Sequence, residues 1–319
     1  MQTVTISAGS RIHLGLLDMG RVSPRTFGGL GFMIDNPLVE AVATPSDRVQ
    51  VVSSPDLDPD TRSYMRARVQ RLVDAFPGPA ARVELKAHAA EHVGFGSKTS
   101  MTLAVLTATA CATDRIIDRL ALQHLSGRGG ASGVGVHGFF SGGFIVDSGR
   151  LGTFPLLPSS LLEPTAIPTP LLTAPVPNDW KITLVLPPGK RSAGKIEESF
   201  FNRVTPVPRS EVLEQFALVY HGMAPAILEG DLEAFGDSLH QFSALGFKSR
   251  EISDQGAAVI STITALRQIA PCVGMSSMGP LVFAITKGSI LNSMPELPTG
   301  ASVIGETIGA EAGFEAHYG

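Results

Sequence analysis

Val4, Ile6 and Ala8 alternate with polar residues, and Ile12, Leu14 and Leu16 continue the apolar face, which predicts a strand pair or one bent strand. Residues 31–45 and 48–53 read as further strands, with turn signals at Asn36-Pro37 and Pro45-Ser46. A charged helix is predicted over 58–76, ending at Pro77-Gly78, and Val83, Leu85 and Ala87 alternate as a strand leading into the loop HVGFGSKTS. From Lys98 to Thr113 the residues are small or apolar on every face, the pattern of a helix buried all round. Asp114 to Ser126 is amphipathic and stops at Gly127, and GVGVHGFFSGGFIVDSG reads as a glycine-rich hairpin. Residues 152–180 are rich in proline and read as a connector. Lys181–Pro187 is a buried strand, followed by helical patterns near 193–203, 210–229, 231–245 and 251–269. A glycine turn at 274–280 then opens into a strand at Leu281–Ile285.

No internal repeat is evident, and the mixture predicts an α+β protein of two lobes sharing one cleft. The expected division is an N-terminal lobe at 1–155, a connector at 156–180 and a C-terminal lobe at 181–319. With 44% hydrophobic and 17% charged residues the chain is too apolar to be disordered. The net charge of −4 comes without a basic stripe, so a nucleic-acid partner is not expected. Cys111 and Cys272 lie in apolar surroundings without metal or redox spacing and read as buried free thiols of a reducing cytosol. The start lacks the pattern of a signal peptide, and no apolar run reaches the roughly 18 residues of a membrane span, so a cytoplasmic location is expected.

Three glycine-rich loops carry candidate chemistry. The first is Gly94-Phe95-Gly96-Ser97-Lys98-Thr99-Ser100, between a strand and the buried helix. Glycine lets backbone approach an anion, a helix start offers unpaired N–H groups, and Lys98 adds a full charge. The alternative is an ordinary strand–turn–helix corner capped by Ser97. The second loop runs from Gly127 through Arg128, Gly129, Gly130, Ala131, Ser132 and Gly133 to Gly135. A tight turn needs only one or two glycines, and the planar fork of Arg128 suits phosphate or carboxylate. The third, Gly274-Met275-Ser276-Ser277-Met278-Gly279-Pro280, offers Ser276 and Ser277 either to an anion or to their own backbone. A ligand with several phosphates would use all three loops together.

In SRIHLGLLDMG, Arg11 and His13 share a face by the period of two, and Asp18 is a further polar group amid apolar neighbours. They read as a carboxylate-binding set or, alternatively, as a surface arginine and a core histidine. Gly28 and Gly29 form a turn able to close over a ligand. Lys190, Arg191 and Lys195 form a basic segment, read as a solvated loop ahead of an anion site.

The segments SRIHLGLLDMG, FGGLGFMIDNP, HVGFGSKTSMTLAV, SGRGGASGVGVHGFFSGGFIVDSG and GMSSMGP span nearly the whole chain. In that order they resemble the β-ribofuranosylaminobenzene 5′-phosphate synthases of the GHMP-kinase-like superfamily, and the C-glycoside synthases of the formycin and pyrazofurin type. The resemblance implies the two-lobed GHMP kinase-like fold, with a ribosomal protein S5 domain 2-like N-terminal lobe and a ferredoxin-like C-terminal lobe, often dimeric. It implies phosphoribosyl pyrophosphate and a small aromatic carboxylate as substrates, Mg²⁺ as the expected ion with unknown ligands, and no organic cofactor. Where the kinases of the fold carry a catalytic aspartate this chain has Gly135, which speaks against an ATP-dependent kinase; a non-catalytic binding protein stays open as the other alternative. Lys98, Ser100, Met275 and Met278 depart from the synthase pattern, which tends to read glycine, glutamine, glutamine and tryptophan there. That combination implies a retained donor and an altered acceptor, with a pyrazole carboxylate slightly ahead of a 4-substituted benzoate.

On this reading Lys98 and the helix start at Ser97, Thr99 and Ser100 receive pyrophosphate. Arg128 and Ser132, within Gly129 and Gly133, hold the remaining phosphate or the ribose, and Arg11 and His13 grip the acceptor.

Overall fold

The computed structural model describes residues 2–159, 161–191 and 194–319. Two long antiparallel strands, β1 (Val4–Asp18) and β2 (Arg25–Ser46), form its spine. Val4, Ile6 and Ala8 face one core as the alternation predicts, but from Ile12 to Asp18 β1 is buried on both sides. β2 is a single strand that starts ahead of the expected 31–45 and runs through the turn signal at Asn36-Pro37. β3 (Gln50–Ser53) lies parallel to β4 (Ala80–Ala87), which pairs with β2, while β5 (Phe144–Asp147) and the short β6 (Arg150–Leu151) pair with other stretches of β2. Against this sheet pack α1 (Pro59–Ala75), capped by Asp58, and α2 (Ser97–Ala112), which is buried on every face as its composition requires. α3 (Arg119–Ser126) and α4 (Val134–Ser141) complete this layer.

Residues 133–149 are therefore not a hairpin: α4 fills the first half and β5 the second. Burial of Val134, Val136 and Phe139 supplies what the glycines withhold in helix propensity. The connector is also more than a link, since β7 (Pro170–Ala174) within it extends the sheet by pairing with β5.

The second sheet has the order β11-β8-β10-β9, all antiparallel, from β8 (Lys181–Leu186), β9 (Cys272–Met275), β10 (Val282–Thr286) and β11 (Ser302–Thr307). The turn expected over 274–280 is shorter than predicted, because β9 occupies its start. Helices α5 (Gly194–Val204), α6 (Arg209–Leu218), α7 (Ala224–Glu229), α8 (Leu232–Ser243), α9 (Gly246–Gln255) and α10 (Ala257–Leu266) accompany this sheet, with a π-helical turn at Val219–Met223 between α6 and α7.

Strand β12 (Glu315–Tyr318), at the far end of the expected C-terminal lobe, returns to pair with Val4–Ser7 of β1. One core runs across both lobes: Ile12, Leu14 and Phe32 pack with Trp180, Phe235 and Phe283. Phe32 meets Phe283 edge-on at 5.8 Å. Each such buried side chain contributes about 1.5–3 kcal/mol, so prising the lobes apart would be costly. Cys272 is buried and Cys111 half-buried, both as free thiols. Among the described residues no helix is long and apolar enough to cross a membrane.

Candidate active site

The starts of α2 and α4 open into one cavity of about 530 Å³ between β1 and the turn that follows β9. Gly96 caps α2 in the left-handed region at φ 65°, and a Cβ there would stand 2.8 Å from Arg11 Nε. Any other residue would take on about 1–2 kcal/mol of backbone strain and would displace the guanidinium from the helix start. Ser97 is thus not the cap. The N–H groups of Thr99 and Ser100 reach Gly96 O at 3.0 and 3.4 Å, leaving those of Ser97 and Lys98 without an intrahelical acceptor.

Three cations converge here. Arg11 is anchored by its backbone N–H donating to Phe95 O at 2.9 Å, and its Nε is buried with no partner. Burial pushes its pKa down to about 10, Arg128 adds repulsion, and Glu251 opposes both. Lys98 lies 4.6 Å from the centre of the Tyr64 ring. Burial and then Arg128 lower its pKa, while Glu91, Asp58 and Asp60 work the other way. Arg128 donates its backbone N–H to Ser126 Oγ at 3.1 Å and its Nε to Thr99 Oγ1 at 3.2 Å. Among the described residues no carboxylate lies within 4 Å of any of these three charged groups. Two helix starts and three cations outside any direct ion pair favour an anion here, although Asp58, Asp60, Glu91, Glu197 and Glu251 also line the cavity.

The loop entering α4 hangs on Asp147 at the end of β5. Its Oδ2 accepts from Gly133 N–H at 2.7 Å and Ser132 Oγ at 3.1 Å, and its Oδ1 accepts from Gly149 N–H at 2.9 Å. Burial pushes the Asp147 pKa up to about 6 against the pull of these hydrogen bonds. Gly29 lies behind this strut, where a Cβ would come 2.2 Å from Ser132 Oγ and 3.0 Å from His13 Nε2. His13 faces the cavity with both ring nitrogens free of hydrogen-bond partners among the described residues. Burial, then Arg11 and Lys248, hold it neutral well below the ordinary histidine range. The opposite wall is apolar: Leu16, Ala131, Phe201 and Met278 belong to one buried cluster and line the cavity.

Of the residues singled out in the sequence, Arg11, His13, Gly94, Gly96, Ser97, Lys98, Thr99, Arg128, Gly129, Ser132 and Ser277 meet at this cavity. Others lie elsewhere. Asp18 does not reach the cavity; its carboxylate accepts the N–H groups of Gly20, Val22 and Ser23 and so shapes the turn after β1. Gly28 and Gly29 form no mobile flap but sit buried in β2. Ser276 is spent on scaffolding: its Oγ accepts His13 N–H at 3.0 Å and donates to Gly94 O at 2.7 Å. Gly133 serves Asp147, and Ser100 is buried outside the cavity wall. Lys190 pairs with Asp254 at 3.1 Å, and it, Arg191 and Lys195 are exposed and do not line the cavity, although Gly194 and Glu197 beside Lys195 do. Of the four departures from the synthase pattern, only Lys98 and Met278 face the cavity, since Met275 lies in the core beneath β9.

The sequence reading missed Asp147, the cavity-lining Asp58, Asp60 and Glu91, and a buried pair on α9, Lys248 and Glu251. Asp147 carried a signal, as a lone carboxylate closing an apolar run. Lys248 and Glu251, three apart on a helix, look like an ordinary surface pair.

No family profile matches the chain. Beta-ribofuranosylphenol 5′-phosphate synthase of Archaeoglobus fulgidus is 33% identical over 279 residues, 87% of this chain and 86% of that one. The enzyme of the same name from Methanothermobacter thermautotrophicus is 31% identical, covering 92% of each chain. This chain belongs to the beta-ribofuranosylphenol 5′-phosphate synthase family. Its fold is that of the GHMP kinases. Homoserine kinase of Cytophaga hutchinsonii superposes with a TM-score of 0.71 at 16% identity, over 99% of this chain and 98% of that one. Mevalonate diphosphate decarboxylase of Staphylococcus aureus superposes with a TM-score of 0.63 at 12% identity, again over 99% and 98%. Within this synthase chain Gly135 lines the cavity, where a Cβ would press on Thr99 Cγ2 at 3.2 Å and stand 3.6 Å from Arg11 Cδ. A carboxylate there would therefore lean on Arg11.

Proposed function

We propose that the chain joins C1 of phosphoribosyl pyrophosphate to the ring carbon of a small aromatic or heteroaromatic carboxylate, releasing pyrophosphate and CO₂ and leaving a C-riboside 5′-phosphate. The observation that carries this reading is the convergence of Arg11, Lys98 and Arg128, none of them in an ion pair among the described residues, on the starts of α2 and α4. Such a hollow matches a donor with two separated clusters of phosphate oxygens. The apolar wall of Leu16, Ala131, Phe201 and Met278 matches a planar ring beside it.

C1 of the donor becomes cation-like as pyrophosphate departs, so the protein's work is to receive negative charge and to align the ring. The N–H groups of Ser97 and Lys98, with the Lys98 ammonium, are preorganised donors for the leaving pyrophosphate. Arg128, fixed through Thr99, and Ser132, fixed through Asp147, face the other phosphate and the ribose. Arg11 and the neutral His13 receive the acceptor's carboxylate and ring. Holding both reactants in register is worth about 7–11 kcal/mol of barrier in favourable cases.

A Mg²⁺ ion fits this site. Glu91 Oε1 is buried without a partner, and Asp60 lines the same corner of the cavity. The Asp58 carboxylate is instead occupied in capping α1. Among the described residues no group of three or more His, Cys, Asp or Glu could hold a metal alone. Mg²⁺ commonly takes one or two carboxylates and completes its shell with substrate phosphates and water. Glu91 and Asp60 would hold it, and it would supply further positive charge for the leaving pyrophosphate.

Among acceptors, we place a hydroxy- or aminopyrazole carboxylate ahead of a 4-substituted benzoate. The free ring nitrogens of His13 face the cavity beside Met278, which gives a heteroaromatic nitrogen a partner there. The test is incubation with phosphoribosyl pyrophosphate, Mg²⁺ and each acceptor in turn. Equimolar pyrophosphate and CO₂ are expected, and absence of both with every acceptor, or ATP-dependent phosphorylation instead, overturns the reading.

A further inference from the structure

Helix α9 turns Lys248, Glu251 and Gln255 towards the turn at 276–279. Lys248 Nζ donates to Glu251 Oε2 at 3.0 Å and to Ser277 O at 3.1 Å, and Gln255 Nε2 donates to Met278 O. Lys248 and Glu251 are only 1% and 4% exposed. Taking two charges out of water costs several kcal/mol per ion, so a buried pair calls for an explanation. Holding the turn explains Lys248 and Gln255. Glu251 Oε2 neutralises Lys248, but its Oε1 has no partner among the described residues although the residue lines the cavity. Arg11 and His13 on β1 are the other charged or titratable groups near the pair. The turn that Lys248 braces carries Met278 into the apolar wall, so Glu251 stands at the ring's end of the cavity.

We propose that Glu251 is a catalytic residue that takes a proton from the acceptor's hydroxyl or ring N–H during C–C bond formation and returns it after CO₂ leaves. This rests on the transferase reading above. As the carboxylate-bearing ring carbon bonds to C1, the C1–O bond to pyrophosphate breaks and pyrophosphate departs with that electron pair. The acceptor's heteroatom pushes electrons into the ring and gives its proton to Glu251 Oε1, leaving a dearomatised adduct whose ring is uncharged and whose carboxylate is still ionised. The bond to the carboxylate then breaks, CO₂ leaves, and its electron pair restores the aromatic ring. The heteroatom anion so formed takes the proton back from Glu251. No proton is gained or lost overall, and no oxidant or reductant is needed. Burial raises the proton affinity of Glu251 and Lys248 opposes that rise, which suits a group that must both accept and release.

The experiment compares wild type with Glu251→Gln, using phosphoribosyl pyrophosphate, Mg²⁺ and the best acceptor from the panel. The expected result is a kcat lowered about 10²–10⁴-fold, with KM for phosphoribosyl pyrophosphate within about threefold of wild type. A kcat within about threefold of wild type overturns the proposal, as does a loss confined to KM for the donor. If the glutamine variant does not fold because Lys248 lacks its partner, the double variant Lys248→Met, Glu251→Gln supplies a neutral pair. Equally low turnover is expected of it, and near-normal turnover overturns the proposal. Wild type without turnover would sink the transferase reading and this proposal with it, whereas an active wild type with active variants sinks this proposal alone.

Discussion

Arg128 Nε donates to Thr99 Oγ1 at 3.2 Å, so the second glycine loop is tied to the first turn of the helix that the first loop opens. Two loops that are separate in sequence are thereby joined, and if they form the proposed anion cradle their cations should be energetically linked.

Replacing Arg128 by alanine removes a charge-assisted contact worth about 1.5–3 kcal/mol. Affinity for phosphoribosyl pyrophosphate should fall roughly 10–100-fold by titration calorimetry, and Lys98→Ala should behave alike. Arg128→Lys should recover only part of the loss, because a lysine lacks the planar fork that reaches Thr99 and a phosphate together. Near-normal donor affinity in both alanine variants would refute the cradle.

Gly135→Asp should weaken acceptor binding without creating a kinase. A carboxylate at this position would lean on Arg11 and compete with the acceptor's carboxylate for it. Titration with the aromatic carboxylate and an assay for ATP-dependent phosphorylation check the two halves separately.

His13 predicts a pH dependence of stability. Its folded pKa lies well below 6.5, so as pH falls below 6.5 the unfolded chain binds a proton that the folded chain refuses. Stability is therefore lost on acidification, by at most about 1.4 kcal/mol per pH unit from this residue. His13→Asn should remove that component, and urea unfolding at pH 7, 6 and 5 should show the variant losing less stability than wild type. Parallel losses would contradict this account.

Gly29→Ala would place a Cβ 2.2 Å from Ser132 Oγ, driving that hydroxyl off Asp147. Overpacking of this kind costs about 1–3 kcal/mol, and a lowered melting temperature together with weaker donor binding is expected.

The glycine loops and the all-round buried α2 were legible because their composition has few other uses. Polar residues inside apolar runs were ambiguous. Arg11 and Asp18 look alike in SRIHLGLLDMG, yet one faces the cavity and the other holds a turn through backbone N–H groups. Only tertiary placement separates them. The helix at 134–141 was hidden by its glycines, because its stability comes from neighbours distant in sequence. Lys248 and Glu251 carried no local mark, since burial of a charged pair is decided by what packs over it.

The pairing of 315–318 with 4–7 has a temporal consequence. During synthesis β1, the strand that bears Arg11 and His13, waits with an open edge until nearly three hundred intervening residues have left the ribosome. An unpaired edge invites association with other chains. This protein should therefore be most vulnerable to self-association while it is being made, and removal of Glu315–Tyr318 should prolong that vulnerability into the finished molecule.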